Sequence, residues 1–368
     1  MAMQHKMLKI NDNQKGFASI IIAIVLVTIL SLITVGFAEL MRHEQQSALN
    51  RQLSNAAYYA AESGINDASK ALAEGYITPK NTCPPLPAGS TGGAAYLTNN
   101  IVDTTSRDIA SYPCLLIDPA PLSLEFSSIG DQDDNAKVFV VTGIDPTDPN
   151  ETAQKAIGSM TFSWQDENRL QNFAPSSWYN NGSAQFPTTS SWKTGNGIIT
   201  GVLRVELVPL GSLDRSSLIA NAYTAFLYPR NGSANNIQTY SYSGNTGNNA
   251  GVILDGQCNA ANTPRYCGVT ITSLGQTQYL VRIDSIYETS TVTVTAKDIS
   301  GNQQLRLGGV QALADSTGKS QGVLRRLQAR LPSGNHYFYP QFDLEGATGI
   351  CKLLNVEPTG TNSSTGCP

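Results

Sequence analysis

Few side chains in this sequence are equipped for acid–base or metal chemistry. Only 14% of its 368 residues are charged, and there are three histidines, His5, His43 and His336. No P-loop or HExxH string occurs, which removes the commonest nucleotide-binding and zinc-protease constellations. A CxxC pair is also missing, and the histidines lie far from the cysteines, so a structural zinc site is not expected. A non-enzymatic protein without cofactor, metal or small-molecule substrate is the resulting expectation. Lys+Arg total 24 against Asp+Glu 28, a net charge of −4, so nothing electrostatic calls for nucleic acid or an anionic membrane as an obligatory partner.

Six cysteines are present: Cys83, Cys114, Cys258, Cys267, Cys351 and Cys367. All follow the one long apolar run, and an even count on that side suits disulfides in an oxidising compartment. Spacing alone leaves all pairings open. The sequential set (83 with 114, 258 with 267, 351 with 367) is preferred because each bridge closes a local loop, the last one tying down a Gly/Ser/Thr-rich tail.

Residues 1–15 are polar and carry Lys6, Lys9 and Lys15 against Asp12 alone. From Phe17 to Ala38 there is no formal charge. As a helix, about 22 residues at 1.5 Å each span ~33 Å, the thickness of a bilayer core. The lysines ahead of it place that end in the cytoplasm and the rest of the chain outside. Three readings fit the segment. It is a secretory signal cut after Ala38, an uncut anchor, or a leader cut at Gln14-Lys15-Gly16-Phe17-Ala18, just ahead of the apolar run.

The next residues separate these readings. Between Ala38 and Gly75 there is no proline, and Leu49, Leu53, Ala57, Ala60, Gly64, Ala68 and Leu72 recur in steps of three and four. Arg42, Glu44, Gln45, Gln46, Asn50, Arg51, Asn55 and Asp67 occupy the other faces. One helix from Phe17 to about Glu74, ~87 Å long, is expected, with Gly75 and Pro79 as stop signals. A plain anchor does not need the amphipathic extension.

Lys15-Gly16-Phe17, the apolar run, the Gln/Asn/Arg-rich turns and Ala60-Ala61-Glu62-Ser63-Gly64 together resemble the N-terminal region of PilX-type minor pilins. They are more distantly similar to GspK-type pseudopilins. The resemblance covers about the first 75 residues. It implies cleavage by prepilin peptidase after Gly16, N-methylation of Phe17, and incorporation among other major and minor pilins through the helix. Two departures from major pilins bear on position in the fibre. Four residues after Phe17, where major pilins carry a glutamate that pairs with a neighbour's terminal amine, stands Ile21. Near Ala38 the usual proline is missing. Both departures favour the tip or initiating complex over the repeated shaft. Glu39 and Arg42, at the outer edge of the span, read as interfacial anchors.

Beyond the proline-rich stretch 78–93, short β-branched and aromatic segments alternate at strand spacing, as in Met160, Phe162 and Trp164. Strands are expected at 136–144, 157–164, 202–207, 222–228, 279–287, 291–295, 305–314 and 323–331. Trp178, Tyr179 and Trp192, and Tyr240 and Tyr242, lie in polar stretches read as loops pinned to the sheet by their aromatics, with adhesion as the rival reading. Asp131, Asp133 and Asn135, and Asp145 and Asp148, read as solvated acidic turns, because an EF-hand's glycine and distal glutamate are missing. Asn150-Glu151-Thr152 is a triplet expected by chance in so polar a chain. Arg326 and Arg330 share one strand face, beside Arg325; this is where DNA would be met, and a solvated face is preferred.

The expected architecture is α+β: a leader 1–16, a transmembrane helical part 17–38, an amphipathic part 39–75, and a large antiparallel β-rich head 76–368 with disulfides. The expected function is that of a minor pilin in pilus assembly, membrane-inserted with its head outside and later at the cell surface. A membrane-anchored adhesin outside any pilus is the alternative.

Overall fold

A computed structural model describes residues 15–75, 110–130, 136–166, 174, 176–180, 183–193, 200–232, 237–242, 251–259 and 266–333. The chain divides into two compact units, the first of residues 1–67, 82–115 and 315–328, the second of 68–81, 116–314 and 329–368.

Helix α1 runs unbroken from Lys15 to Ala73 over 59 residues, ~88 Å at helical rise. It ends where Gly75 takes a left-handed φ of +83° and donates its N–H to the Leu72 carbonyl. Glycine has no Cβ to oppose that conformation, so it caps the helix.

The strands of the β-rich part are β1 (Ala110–Asp118), β2 (Leu124–Ile129), β3 (Lys137–Ile144), β4 (Ile157–Asp166), β5 (Tyr179–Asn180), β6 (Ser183–Ala184), β7 (Val202–Pro209), β8 (Tyr223–Gly232), β9 (Gln238–Ser241), β10 (Val252–Asn259), β11 (Cys267–Thr272), β12 (Gln278–Ile286), β13 (Ser290–Asp298), β14 (Arg306–Gly308), β15 (Gln311–Ser320) and β16 (Val323–Pro332). Two short helices, α2 (Thr189–Lys193) and α3 (Arg215–Asn221), interrupt them. Among the described residues, β1, β15 and β16 form one sheet in the order β1-β15-β16. A second sheet has eleven strands in the order β14-β3-β12-β7-β8-β10-β11-β4-β13-β2, with β9 beside β11. Strands β5 and β6 form a small hairpin.

The large sheet is mostly antiparallel, as expected, but β8–β10 and β9–β11 pair parallel. Strands from both ends of its order supply one buried cluster: Phe162 and Trp164 with Val292 and Val294, Val205 and Leu207 with Val281 and Ile283. The sheet therefore curls over its own core. Each such side chain removed from water contributes about 1.5–3 kcal/mol, before the entropy of ordering the chain. Trp164 donates its indole N–H to the Gly201 carbonyl at 2.9 Å, so this buried indole is satisfied.

The single strand expected over 305–314 is two. Gly309 takes φ +86°, and β14 and β15 join different sheets on either side of it. Seven strands, β1, β2, β5, β6, β9, β10 and β11, were not expected, nor were α2 and α3.

Candidate functional site

The candidate site is α1, whose two halves have different surroundings. From Ile20 to Met41 every large apolar side chain is 48–74% exposed. The segment is long and apolar enough to cross a bilayer. Its few hydroxyls are consumed within the helix: Thr28 donates to the Val25 carbonyl, Ser31 to Val27 and Thr34 to Ser31, at 2.8–2.9 Å. In hydrocarbon, where no water competes, internal satisfaction of this kind is required. Such a surface can exchange lipid contacts for the apolar faces of other helices without exposing a polar group.

The second half packs against the three-stranded sheet within the first unit. Leu53, Ala57, Ala60, Ala61, Gly64 and Ile65 are buried, while Arg51, Asn55, Tyr58, Tyr59 and Glu62 face outward. Leu49, expected on the buried face, is half exposed. Small residues are needed because the three-stranded sheet comes unusually close. A Cβ on Gly64 would collide with the Ser316 hydroxyl and lie 3.1 Å from the Tyr112 ring. Gly318 of β15 answers from the sheet side, set against the backbone of Ala57 and Ala61. Tyr112 donates its hydroxyl to Asp67, and burial, reinforced by that carboxylate, holds the phenol protonated well above its ordinary range. Ala57, Ala61 and Gly64, the last two from the Ala60-Ala61-Glu62-Ser63-Gly64 string, thus make the close contacts between helix and sheet.

The residues proposed for processing, Gly16 and Phe17, lie in the first turn of α1. Ile21 is 48% exposed. Cys258 and Cys267 stand directly opposite one another on β10 and β11 and are joined by a disulfide. Cys114, on β1, is also disulfide-bonded. Cys83, Cys351 and Cys367 lie outside the described residues, as do Asp131, Asp133 and Asn135.

Aromatic residues expected in loops are pinned to the sheet. Trp192 is fully buried and stacks on Tyr287 at 4.5 Å, and Trp178 lies against Trp192 at 5.5 Å. Tyr179 packs against Tyr228 at 5.5 Å. Tyr240 donates to the Asp255 carbonyl and Tyr242 to that of Asn221. Two of the three arginines suggested for DNA are ion-paired. Arg326 binds both oxygens of Asp315, and Arg330 reaches Glu125 at 3.3 Å. Asp148 accepts backbone N–H groups from Asn150, Thr152 and Ala153, which hold its carboxyl down at about 2. It locks its own turn, and Asp145 does the same with Thr147. No group of three His, Cys, Asp or Glu side chains is placed to hold a metal ion among the described residues.

A cluster that the sequence hid is Asp118–Arg306–Glu151. Arg306 pairs with Asp118 at 3.0 Å and Glu151 at 2.9 Å, and Glu151 is only 7% exposed. Burial first, then the Asp118 charge, push the Glu151 carboxyl up to about 7, against the opposing pull of Arg306. These residues lie far apart in the chain, so no local pattern marks them.

Residues 15–66 match the family model described as PilX N-terminal. With the long apolar helix, this match fits a type IV pilin of the PilX type and indicates a minor pilin of a type IV pilus. No curated protein and no solved structure matches the chain.

Proposed function

We propose that this minor pilin is cut by prepilin peptidase between Gly16 and Phe17, methylated at Phe17, and held in the cytoplasmic membrane by residues 17–38 with its head outside. From there it enters the assembly of a type IV pilus, acting at the initiating or tip complex. The observation that carries this reading is the division of labour along α1. One uninterrupted helix offers bare apolar surface over its first half and is packed against a sheet over part of its second. A helix that must leave lipid for a bundle of like helices needs that exposed surface, and a helix that holds folded structure outside the membrane needs the packed part. Ile21 supports the tip position, because a subunit without a buried carboxylate has no charge to match against a neighbour's amine.

Mass spectrometry of the N-terminus tests the processing step. The native chain is expected to begin at methylated Phe17, and Gly16→Glu to leave the leader attached, since a bulky charge replaces the residue entering the protease cleft. Normal conversion of Gly16→Glu, or a native start at Glu39, would overturn the proposal.

A further inference from the structure

In the first unit, where α1 extends beyond the three-stranded sheet, its polar turns and Arg325 of β16 enclose an open cleft of about 480 Å³. His43, Asn50, Arg51 and Ser54 line its helical side, and no Asp or Glu lines it. Arg325 is held in place by a neutral group: Nε and Nη2 both donate to the Ser54 hydroxyl, at 2.8 and 2.6 Å. That bond orients the guanidinium without compensating its charge. Arg326, the next residue, faces the other side of the strand and is paired with Asp315, and Arg330 with Glu125. Among the described residues, neither Arg325 nor Arg51 has a carboxylate partner. Two permanent cations therefore meet in one concave site with hydroxyl and amide groups around them. This is the chemistry that recognises an oxyanion, and both carboxylate and phosphate fit the planar guanidinium fork.

A lipid phosphate and a protein carboxylate share that chemistry, and distance separates them. Arg51 lies about 13 residues beyond Ala38, ~20 Å along the helix. The headgroup layer outside the hydrocarbon core is only ~5–8 Å deep. An erect helix, even tilted by ~20°, leaves the Arg51–Arg325 end of the cleft above the lipid headgroups, while its His43 end, ~7.5 Å beyond Ala38, reaches them. The two arginines are therefore left to meet protein rather than lipid.

We infer that this cleft receives an acidic side chain of a neighbouring pilin subunit, clamped between Arg51 and Arg325. The inference rests on the minor-pilin reading. It assigns the cleft a role in subunit register that the apolar half of α1 cannot supply, because apolar packing alone does not distinguish one axial offset from another.

The R325K variant tests this directly in filament-forming cells. Lysine keeps the cation and can still donate to Ser54, and its amine is joined to a touching carboxylate by a carbodiimide at zero length. Peptide mapping of sheared filaments is expected to find position 325 linked to an Asp or Glu of a different pilin subunit. In the R51E/R325K variant, a local carboxylate competes for the amine, and the intermolecular link is expected to be lost. Filaments that contain the chain processed at Phe17, yet show position 325 unmodified, linked within its own chain or carrying a phospholipid, would overturn the cleft assignment and leave the pilin reading standing. A chain with its leader uncut and absent from filaments would overturn both.

Discussion

Gly318 of β15 rests against the carbonyl of Ala57 on α1, so closely that a Cβ there would run into that oxygen. The helix and sheet of the first unit meet backbone to backbone at this point, which fixes how the rigid stalk is coupled to its sheet. Gly318→Val is expected to destabilise this contact by about 1–3 kcal/mol, the usual cost of overpacking a well-filled interface. Gly322→Ala, where an added Cβ meets nothing within 4 Å, is the control and should change stability by less than ~0.5 kcal/mol. Chemical denaturation in detergent reads both, and equal effects would argue against a close contact.

The Cys258–Cys267 bridge joins directly opposed residues of β10 and β11, nine positions apart in the chain. Closing so short a loop removes unfolded-chain entropy worth about 2.5–3 kcal/mol in the loop-closure treatment. The double variant Cys258→Ala with Cys267→Ala should lose about that much. Non-reducing peptide mapping of cell-surface protein should recover the 258–267 link, and free thiols at both positions would contradict it.

Glu151 makes stability depend on pH in a predictable direction. Its carboxyl is raised from an ordinary value near 4.5 to about 7 in the folded chain, chiefly by burial and then by Asp118. The folded state therefore binds the proton more tightly than the unfolded state does. That contribution is complete below pH ~4.5 and is lost as pH rises through about 7. Glu151→Gln cannot titrate, so the native protein should lose melting temperature relative to the variant across this window. A difference that stays constant from pH 4.5 to 8 would show that the group is not raised.

Position in the fibre can be read by labelling. A tip subunit should be found at one end of each pilus, few copies per fibre, and its deletion should lower pilus number while the remaining fibres keep an ordinary shaft. Ile21→Glu should not improve assembly, because a carboxylate without a matched amine carries a desolvation cost in lipid. Labels spaced along the whole fibre would favour a shaft-incorporated pilin.

Regular local patterns were legible where one physical period dominated. The α1 face could be read because small and apolar residues recur every three to four positions and Gly75 ends the run. Strands β4, β7, β12 and β13 could be read because their side chains alternate between core and exterior. Local signals failed where a partner distant in sequence supplied the reason for a residue. In β10, Asp255 and Gly256 look like a turn. Yet Asp255 is held in the strand by Arg230 of β8 at 2.9 Å, and Gly256 lies under the Trp164 ring, where a Cβ has no room. Asn231-Gly232, another turn signal, is instead the end of β8, in register with Cys258 and Asn259. Pro113 disguised β1, which tolerates it by standing at a sheet edge.

By itself, the sequence determined the class of the molecule: an apolar helix long enough for a bilayer, its amphipathic continuation, cysteines placed after it, and a β-rich remainder. Those features depend on composition and on periods of two or 3.6 residues, which a chain carries without reference to its fold. Tertiary structure alone decided which small residues meet (Gly64 with Ser316, Gly318 with Ala57) and which charges are compensated. Arg326 and Arg325 are adjacent in sequence, but one is closed off by Asp315 and the other is left bound to a serine hydroxyl over an open cleft. Ion pairing depends on distances of a few ångströms between groups that the chain itself does not hold together, and only the folded chain sets those distances.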